Sequence, residues 1–401
     1  MPDYMQEDMM RKDRKENVRL ANLGLFAILY MSCSFSILVE GVVPNSIIKV
    51  LWIGMLIVFL IKIDRIMVRL VAVWVAMLGC MIISTLVNGE PIPSLMNIVV
   101  SWTTVMVYAQ IVEFEDFYDA VISVMYTICI ISLIGFVMYS LIPSMRSINV
   151  VNGKISNIFL FSYYKKVWRN MGLFWEPGAF QTFINLALLL ECLKKDVRMK
   201  YVLIFAVTLL TTFSTTGYLA FAVIVSMMMS KRGVDIKFRL KVMFVAFILL
   251  LYIFMNQDDF FAPGTVFGKL IHNDLDSDNT FSTRFYSIGK PFECFLESPI
   301  WGVGYNGLIE KTLKYTASMN TFTLVNLFAV YGIAYGFITI LGIGALSKRC
   351  CHTHLERLFF VIVMIIVSAS ENYVKNPTLF LLVLFGIKEM GLGKCGIEQP
   401  S

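Results

Sequence analysis

The sequence predicts an all-α, polytopic membrane protein of about twelve transmembrane helices with two longer extracytoplasmic loops, and three observations predict it. Of its 401 residues, 58% are apolar and 15% charged, with a mean hydropathy of +0.73, against about a quarter charged in a soluble domain. Apolar runs of about 17 to 25 residues recur along the chain, each long enough to cross a bilayer core as a helix. Lys and Arg gather in alternate loops, as the positive-inside bias requires. The lipid bilayer is therefore the first partner the sequence names.

Taken in order, the apolar runs place spans near 20–39, 45–61, 68–87, 95–112, 119–142, 178–193, 201–213, 217–230, 242–255, 322–346, 358–370 and 378–392. Residues 1–19 are strongly charged and precede a full span, so they read as a cytoplasmic tail and not as a cleaved signal peptide. Residues 393–401 form a second cytoplasmic tail, and 20–392 form the membrane domain. The basic segments KKDVRMK (194–200), SKRGVDIKFRLK (230–241) and SKRCCHTHLER (347–357) fall inside, whereas the short outward loops at 88–94, 214–217 and 371–377 hold one basic residue, Lys375. The acidic stretch EFEDFY (113–118) falls inside against this pattern, but acidic residues weigh little in the rule.

Two outward segments, 143–177 and 256–321, are long for connections between spans, and long irregular connections commonly carry function. No repeat relates the first six spans to the last six. The eight cysteines form no disulfide framework, because Cys33, Cys80, Cys129 and Cys192 lie inside apolar runs as small hydrophobes and Cys294 stands alone in an outward loop. The net charge of +6 sits mostly in short loops between spans, so no nucleic-acid partner is expected.

The first chemical constellation is Lys165, Lys166, Trp168, Arg169, Gly172, Trp175, Glu176 and Pro177. Pro177 suits the first turn of the next helix, and Glu176 then sits at its positive end. Trp168, Lys165 and Lys166 also fit an interfacial anchor belt. Arg169 and Glu176 point to function, as an ionisable pair at membrane depth does by default. The second is STRFYSIGKPFECFLESPIWGVGYNG (282–307). Ser282 and Thr283 predict the cap of a short helix with Arg284 in its first turn, an unfavourable place for a cation unless it has a task. That helix should stop before Pro299, with Gly302 and Gly304 allowing a tight turn and close backbone approach. The same helix also reads as amphipathic, resting on the membrane with Phe285, Phe292 and Phe295 down.

Other motifs read as structure. NDLDSDN (273–279) places Asp274, Asp276 and Asp278 like the start of a calcium loop, but the required glycine and closing glutamate are missing. CCHTH (350–354) has no second ligand pair and reads as a structural loop. STTG (214–217) and Asn326 suit helix–helix hydrogen bonding. No GxSxG, Walker or HExxH motif is present, and neither metal nor cofactor is expected.

RNMGLFWEPGAF at a span entrance, then Arg284, then SPIWGVGYN before another span, resembles the Wzy-type polysaccharide polymerases, which group with the O-antigen ligases. The resemblance implies a multi-helix glycosyltransferase of the GT-C kind. It would act at the outer face of the bacterial cytoplasmic membrane on undecaprenyl-diphosphate-linked oligosaccharide, without a nucleotide sugar. A flippase and a chain-length regulator are the implied partners. Arg169 and Arg284 would meet the diphosphate and glycan, with Glu176 as catalytic base. Lys165, Lys166, Trp168, Trp175, Tyr305 and Asn306 would bind substrate. Two departures stand out. YTASMNTFTLVN (315–326) lacks the ligases' histidine, and the glycine that follows an arginine after ten intervening residues in some polymerases is replaced downstream of Arg169 and Arg284, where Phe180 and Phe295 fall. The rival readings are a ligase for finished glycan and a flippase or exporter of lipid-linked oligosaccharide. Charges in outward loops and the missing repeat weigh against transport.

Overall fold

The computed structural model describes residues 3–34, 45–142, 144, 150–151, 155–158, 161–164, 169–230, 236–237, 240, 244, 280–313 and 321–390. Asp274, Asp276, Asp278, the span expected at 242–255, and Lys165, Lys166 and Trp168 lie outside the described residues.

The first half of the chain folds as α1 (Asp3–Leu29, followed by a π-helical turn at Tyr30–Ser34), α2 (Asn45–Leu60), α3 (Val68–Val87), α4 (Ile92–Ile111) and α5 (Phe114–Leu141). Four strands follow: β1 (Val150–Val151), β2 (Ile155–Ile158), β3 (Phe161–Tyr164) and β4 (Arg169–Gly172). The helices then resume as α6 (Pro177–Leu193), α7 (Met199–Thr211), α8 (Thr215–Ser230), α9 (Thr280–Glu297), α10 (Tyr305–Leu313), α11 (Thr323–Cys350), α12 (His354–Ser368) and α13 (Pro377–Lys388). The protein is mostly helical. Three helices, α3, α5 and α11, are long and apolar enough to cross a membrane, and several shorter apolar helices accompany them. Eleven of the twelve apolar runs read from the sequence coincide with described helices.

The addition to the expected all-helical architecture is an antiparallel meander in the order β1-β2-β3-β4, within the first long outward segment. Its sequence, VVNGKISNIFLFSYY, is rich in β-branched and aromatic residues and carries an Asn-Gly pair, a hairpin signal that a search for apolar runs passes over. Through β4 the sheet packs on α5 and α6.

Two short helices form the centre of the bundle. Nearly every residue of α6 and of α13 is buried. Phe380 stacks on Trp102 with ring centres 4.2 Å apart, and Phe385 on Phe117 at 3.8 Å, so α13 is locked against α4 and α5. The apolar side chains exposed on α2 and α3, such as Ile53, Ile57, Val75 and Ile82, then suit the lipid-facing rim.

One end of the bundle collects the segments expected inside. Lys194 pairs with Asp119, Arg198 with Glu191 (2.6 Å), and Arg349 with Glu115 and with Glu389 (3.2 Å). The ammonium of Lys388 donates to the carbonyls of Ala109 (3.1 Å) and Val112 (2.7 Å), closing the C-terminus of α4. The acidic stretch at 113–118 thus has a physical reason to lie here: α5 begins at Phe114, and Glu115 in its first turn faces the basic connection between α11 and α12. In that connection Thr353 and Glu356 form a capping box for α12, as a structural loop requires. The 17 residues of α6 span about 25 Å from this end, expected inside and called the inner end, to the opposite one, expected outside and called the outer end, where Pro177 starts the helix.

The SPIWGVG turn seats the second long segment on the bundle. α9 starts at Thr280, two residues before the expected cap, so Ser282 and Thr283 lie inside it and Arg284 falls beyond its first turn. The helix ends at Glu297, before Pro299, as expected. Gly302 (φ +73°) and Gly304 (φ +75°) turn the chain back onto α11, which is itself interrupted at Gly332 (φ +81°, ψ −179°). Val303 N–H donates to Ala329 O (2.8 Å), Gly304 N–H to Val330 O (3.3 Å) and Ile333 N–H to Pro299 O (2.8 Å). The bonds that the kink releases are remade to the turn. Phe292 is exposed as an amphipathic helix requires, but Phe295 turns inward, edge-on to Phe328 at 5.6 Å, because α9 packs on α11.

Candidate active site

The outer end is assembled at the N-termini of the two central helices, each opened by a proline: Glu176-Pro177 for α6 and Asn376-Pro377 for α13. β4 delivers the first residues. Asn170 is buried, donates to Ser132 Oγ (3.3 Å) and Thr211 Oγ1 (3.0 Å), and accepts the Gly172 N–H (2.9 Å), which fixes the turn out of the strand. Beside it, Arg169 donates through Nε to Thr212 O (3.0 Å), so its guanidinium is held at the top of α7. Phe174 stacks between Phe180 and Phe183, at 5.3 and 4.9 Å. That packing aims Trp175 and Glu176 across the start of α6.

What they meet is Glu371, in the connection between α12 and α13. Its Oε2 accepts the indole N–H of Trp175 (3.3 Å), and its carboxyl lies beside that of Glu176. The backbone around it is pinned: Thr323 Oγ1 donates to Glu371 O (2.5 Å) and accepts Tyr373 N–H (2.9 Å). Ser370 Oγ lies 2.9 Å from Thr182 Oγ1 on α6. The carboxyl also presses on the Cα of Gly178, where any side chain would collide with it, which accounts for the glycine after Pro177.

Glu371 is 9% exposed, whereas Glu176 is exposed. Burial pushes the Glu371 carboxyl well above the usual carboxylate range, and the neighbouring Glu176 carboxyl pushes it further by charge and by hydrogen bonding. The Trp175 N–H and the positive charge of Arg169 only partly oppose this. Burial and the neighbouring charge thus favour the protonated form of Glu371. Glu176 is the N-cap residue of α6, but its side chain makes no capping bond and turns to Glu371 instead.

A second group lies at the far side of the same loop. Lys375 sits on the ring of Tyr305, with Nζ 3.4 Å from the ring centre. Glu90, from the connection between α3 and α4, accepts the Asn306 N–H (2.6 Å) at the start of α10. Asn88 donates to Gly302 O (3.2 Å) and Ser84 O (2.8 Å), and Ser84 Oγ donates to Val330 O (2.6 Å), tying this corner to the turn on α11.

Of the residues expected from the sequence, Arg169, Trp175 and Glu176 come together around Glu371, and Tyr305 and Asn306 join Lys375 and Glu90. Arg284 stands on α9, with its side chain outside the described residues. Sequence reasoning missed Glu371, Glu90 and Lys375 as site residues. The signal available for two of them was SENYVKNP (370–377), a short outward loop with a carboxylate, the lone short-loop cation and a proline at a span entrance, matching WEP at 175–177. A comparison with protein-family models gives no match, and a comparison with curated protein sequences gives none either.

Proposed function

We propose that this protein is a membrane glycosyltransferase that polymerises undecaprenyl-diphosphate-linked oligosaccharide repeat units into a surface polysaccharide. In this reading it lies in a bacterial cytoplasmic membrane as a twelve-span, GT-C-like protein with both termini inside. The single observation that supports it is the pairing of a buried, proton-holding carboxyl with an exposed one beside an arginine, at the outer end of a membrane bundle.

That arrangement suits glycosyl transfer from a lipid diphosphate. The acceptor hydroxyl attacks the anomeric carbon, its proton passes to Glu176, and the bond from that carbon to the diphosphate oxygen breaks. A positioned base of this kind is worth about 10²–10⁴-fold. Glu371, already carrying a proton, supplies a hydrogen bond that orients Glu176 without adding a second negative charge. Arg169 presents a planar guanidinium to the departing diphosphate, a geometry that matches phosphate oxygens bidentately. Arg284 would serve the same anion from α9.

The test is reconstitution of the purified protein with synthetic undecaprenyl-diphosphate-linked oligosaccharide. A ladder of products from the parent protein, absent with Glu176→Gln at equal abundance, is the expected result. A deletion strain whose surface polysaccharide keeps its normal length distribution would overturn the reading. Accumulated long lipid-linked chains in that strain would assign the protein to ligation instead.

A further inference from the structure

A polymerase of the kind proposed must hold two lipid-linked chains at once, one donating its glycan and one receiving it, and each carries a diphosphate. The donor's diphosphate falls to Arg169 in the mechanism above. Nothing in that mechanism uses Lys375, Tyr305 or Glu90, although all three meet at the same end of the bundle.

Lys375 differs from Lys194, Arg198 and Arg349 at the inner end. Those three are each paired with a carboxylate. Among the described residues, no carboxylate lies within 4.0 Å of the Lys375 ammonium and no oxygen accepts a hydrogen bond from it; its contact is the face of Tyr305. A flexible lysine held over an aromatic ring is a desolvated, oriented point charge with its donors unspent. Burial lowers the Lys375 ammonium from the usual lysine range, and Glu90 opposes this from a distance. An arriving anion relieves that desolvation, as a built anion site requires.

The surroundings supply the rest of a phosphate cradle's limits. Glu90 is already committed to the Asn306 N–H and packs against Gly304, so it neutralises the start of α10 and leaves Lys375 as the local cation. Midway between Glu371 and Lys375 in the loop stands Tyr373, which is buried and meets Trp175 edge-on at 5.6 Å. The loop from Glu371 to Lys375 therefore carries a buried carboxyl before Tyr373 and a cation after it.

We propose that Lys375, seated on Tyr305, is a second diphosphate subsite that holds the headgroup of the acceptor chain while Arg169 holds that of the donor. The identity of the second chain rests on the polymerase reading; the diphosphate chemistry of the subsite does not.

The test counts binding without turnover. Farnesyl diphosphate, a short polyprenyl diphosphate, is titrated calorimetrically into the purified full-length protein in nanodiscs. The parent protein should bind two equivalents. Lys375→Met should weaken one of them about ten- to a hundredfold, the usual reach of a charge-assisted contact, and Lys375→Arg should restore it. Glu90→Gln, which keeps the acceptor for Asn306 but removes the opposing charge, should tighten the same equivalent severalfold, so the subsite can be judged even if Lys375→Met does not fold. One equivalent in an active parent protein would overturn this inference and leave the polymerase reading standing. Two equivalents, one of them Lys375-sensitive, in a protein that forms no ladder would sink the polymerase reading and support the subsite. Inorganic pyrophosphate occupying the Lys375 equivalent as tightly as farnesyl diphosphate would identify a free diphosphate as its ligand and overturn the acceptor-chain assignment.

Discussion

The indole N–H of Trp175 reaches Oε2 of Glu371 across 3.3 Å of space and 196 positions of sequence. This bond opposes the upward push that burial and Glu176 exert on the Glu371 carboxyl. Trp175→Phe keeps most of the ring packing on Tyr373 and removes the donor. We expect a stability loss of about 1 kcal/mol, read as a lowered melting temperature, with Glu371 holding its proton to still higher pH.

The same carboxyl sets a pH dependence. Folding raises Glu371 above its unfolded value, so the folded chain keeps a proton that the unfolded chain releases at lower pH. The stability this group contributes is complete in acid and is lost as pH rises through the raised value. Thermal melting of the purified protein should fall toward alkaline pH, and Glu371→Gln, which cannot ionise, should flatten that decline. An unchanged slope in the variant would refute the assignment of the proton to Glu371.

Glu176→Gln and Glu371→Gln should part company in activity. Replacing the base should cost about 10²–10⁴-fold in chain extension. Replacing the neutral partner with a neutral isostere should leave activity within about tenfold, provided the amide still donates to Glu176. Equal losses would show that the two carboxylates act alike, against the burial difference between them.

Arg169→Lys keeps the charge but not the fork, and it gives up the Nε bond to Thr212 O. A charge-assisted contact made in the transition state is worth about ten- to a hundredfold in rate. Chain length and turnover should drop by that amount at unchanged membrane abundance. A drop that tracks abundance alone would reduce Arg169 to a tether for α7.

Gly332→Ala tests the seat of the second segment. At φ +81° and ψ −179° a side chain is strained, at about 1–3 kcal/mol, and its Cβ would run into the carbonyl of Ile300. Proteolysis near 298–304 should accelerate, while Val197→Cys, at the inner end, stays unlabelled by an impermeant reagent in intact cells.

The helices were legible because each span carries its own signal: a run of apolar residues long enough for the bilayer leaves little choice of structure. The strands were not, because four short pieces around Asn152-Gly153 rely on pairing with one another and on β4 docking to α5 and α6, which no local window contains. Arg169 and Glu176 could be singled out since charge beside a span entrance is costly and demands a reason. Glu371 could not be ranked above other loop glutamates, because its special character comes from burial between Trp175, Gly178 and Glu176, distant in sequence. Tyr305 and Asn306 were found as neighbours of a glycine turn; their partners Lys375 and Glu90 belong to two other connections.

The turn at Ser298–Gly304 also sets an order of biosynthesis. Its backbone bonds go to Ala329, Val330 and Ile333, which leave the ribosome after it, and the Val330 carbonyl also accepts Ser84 Oγ. Glu371 and Lys375 emerge later still, 196 positions after the tryptophan that anchors the first of them. During synthesis Trp175 and Glu176 are thus made long before Glu371, and no half-built chain holds the assembled cluster. The Glu371 cluster therefore closes only when the last two helices of the bundle are in place.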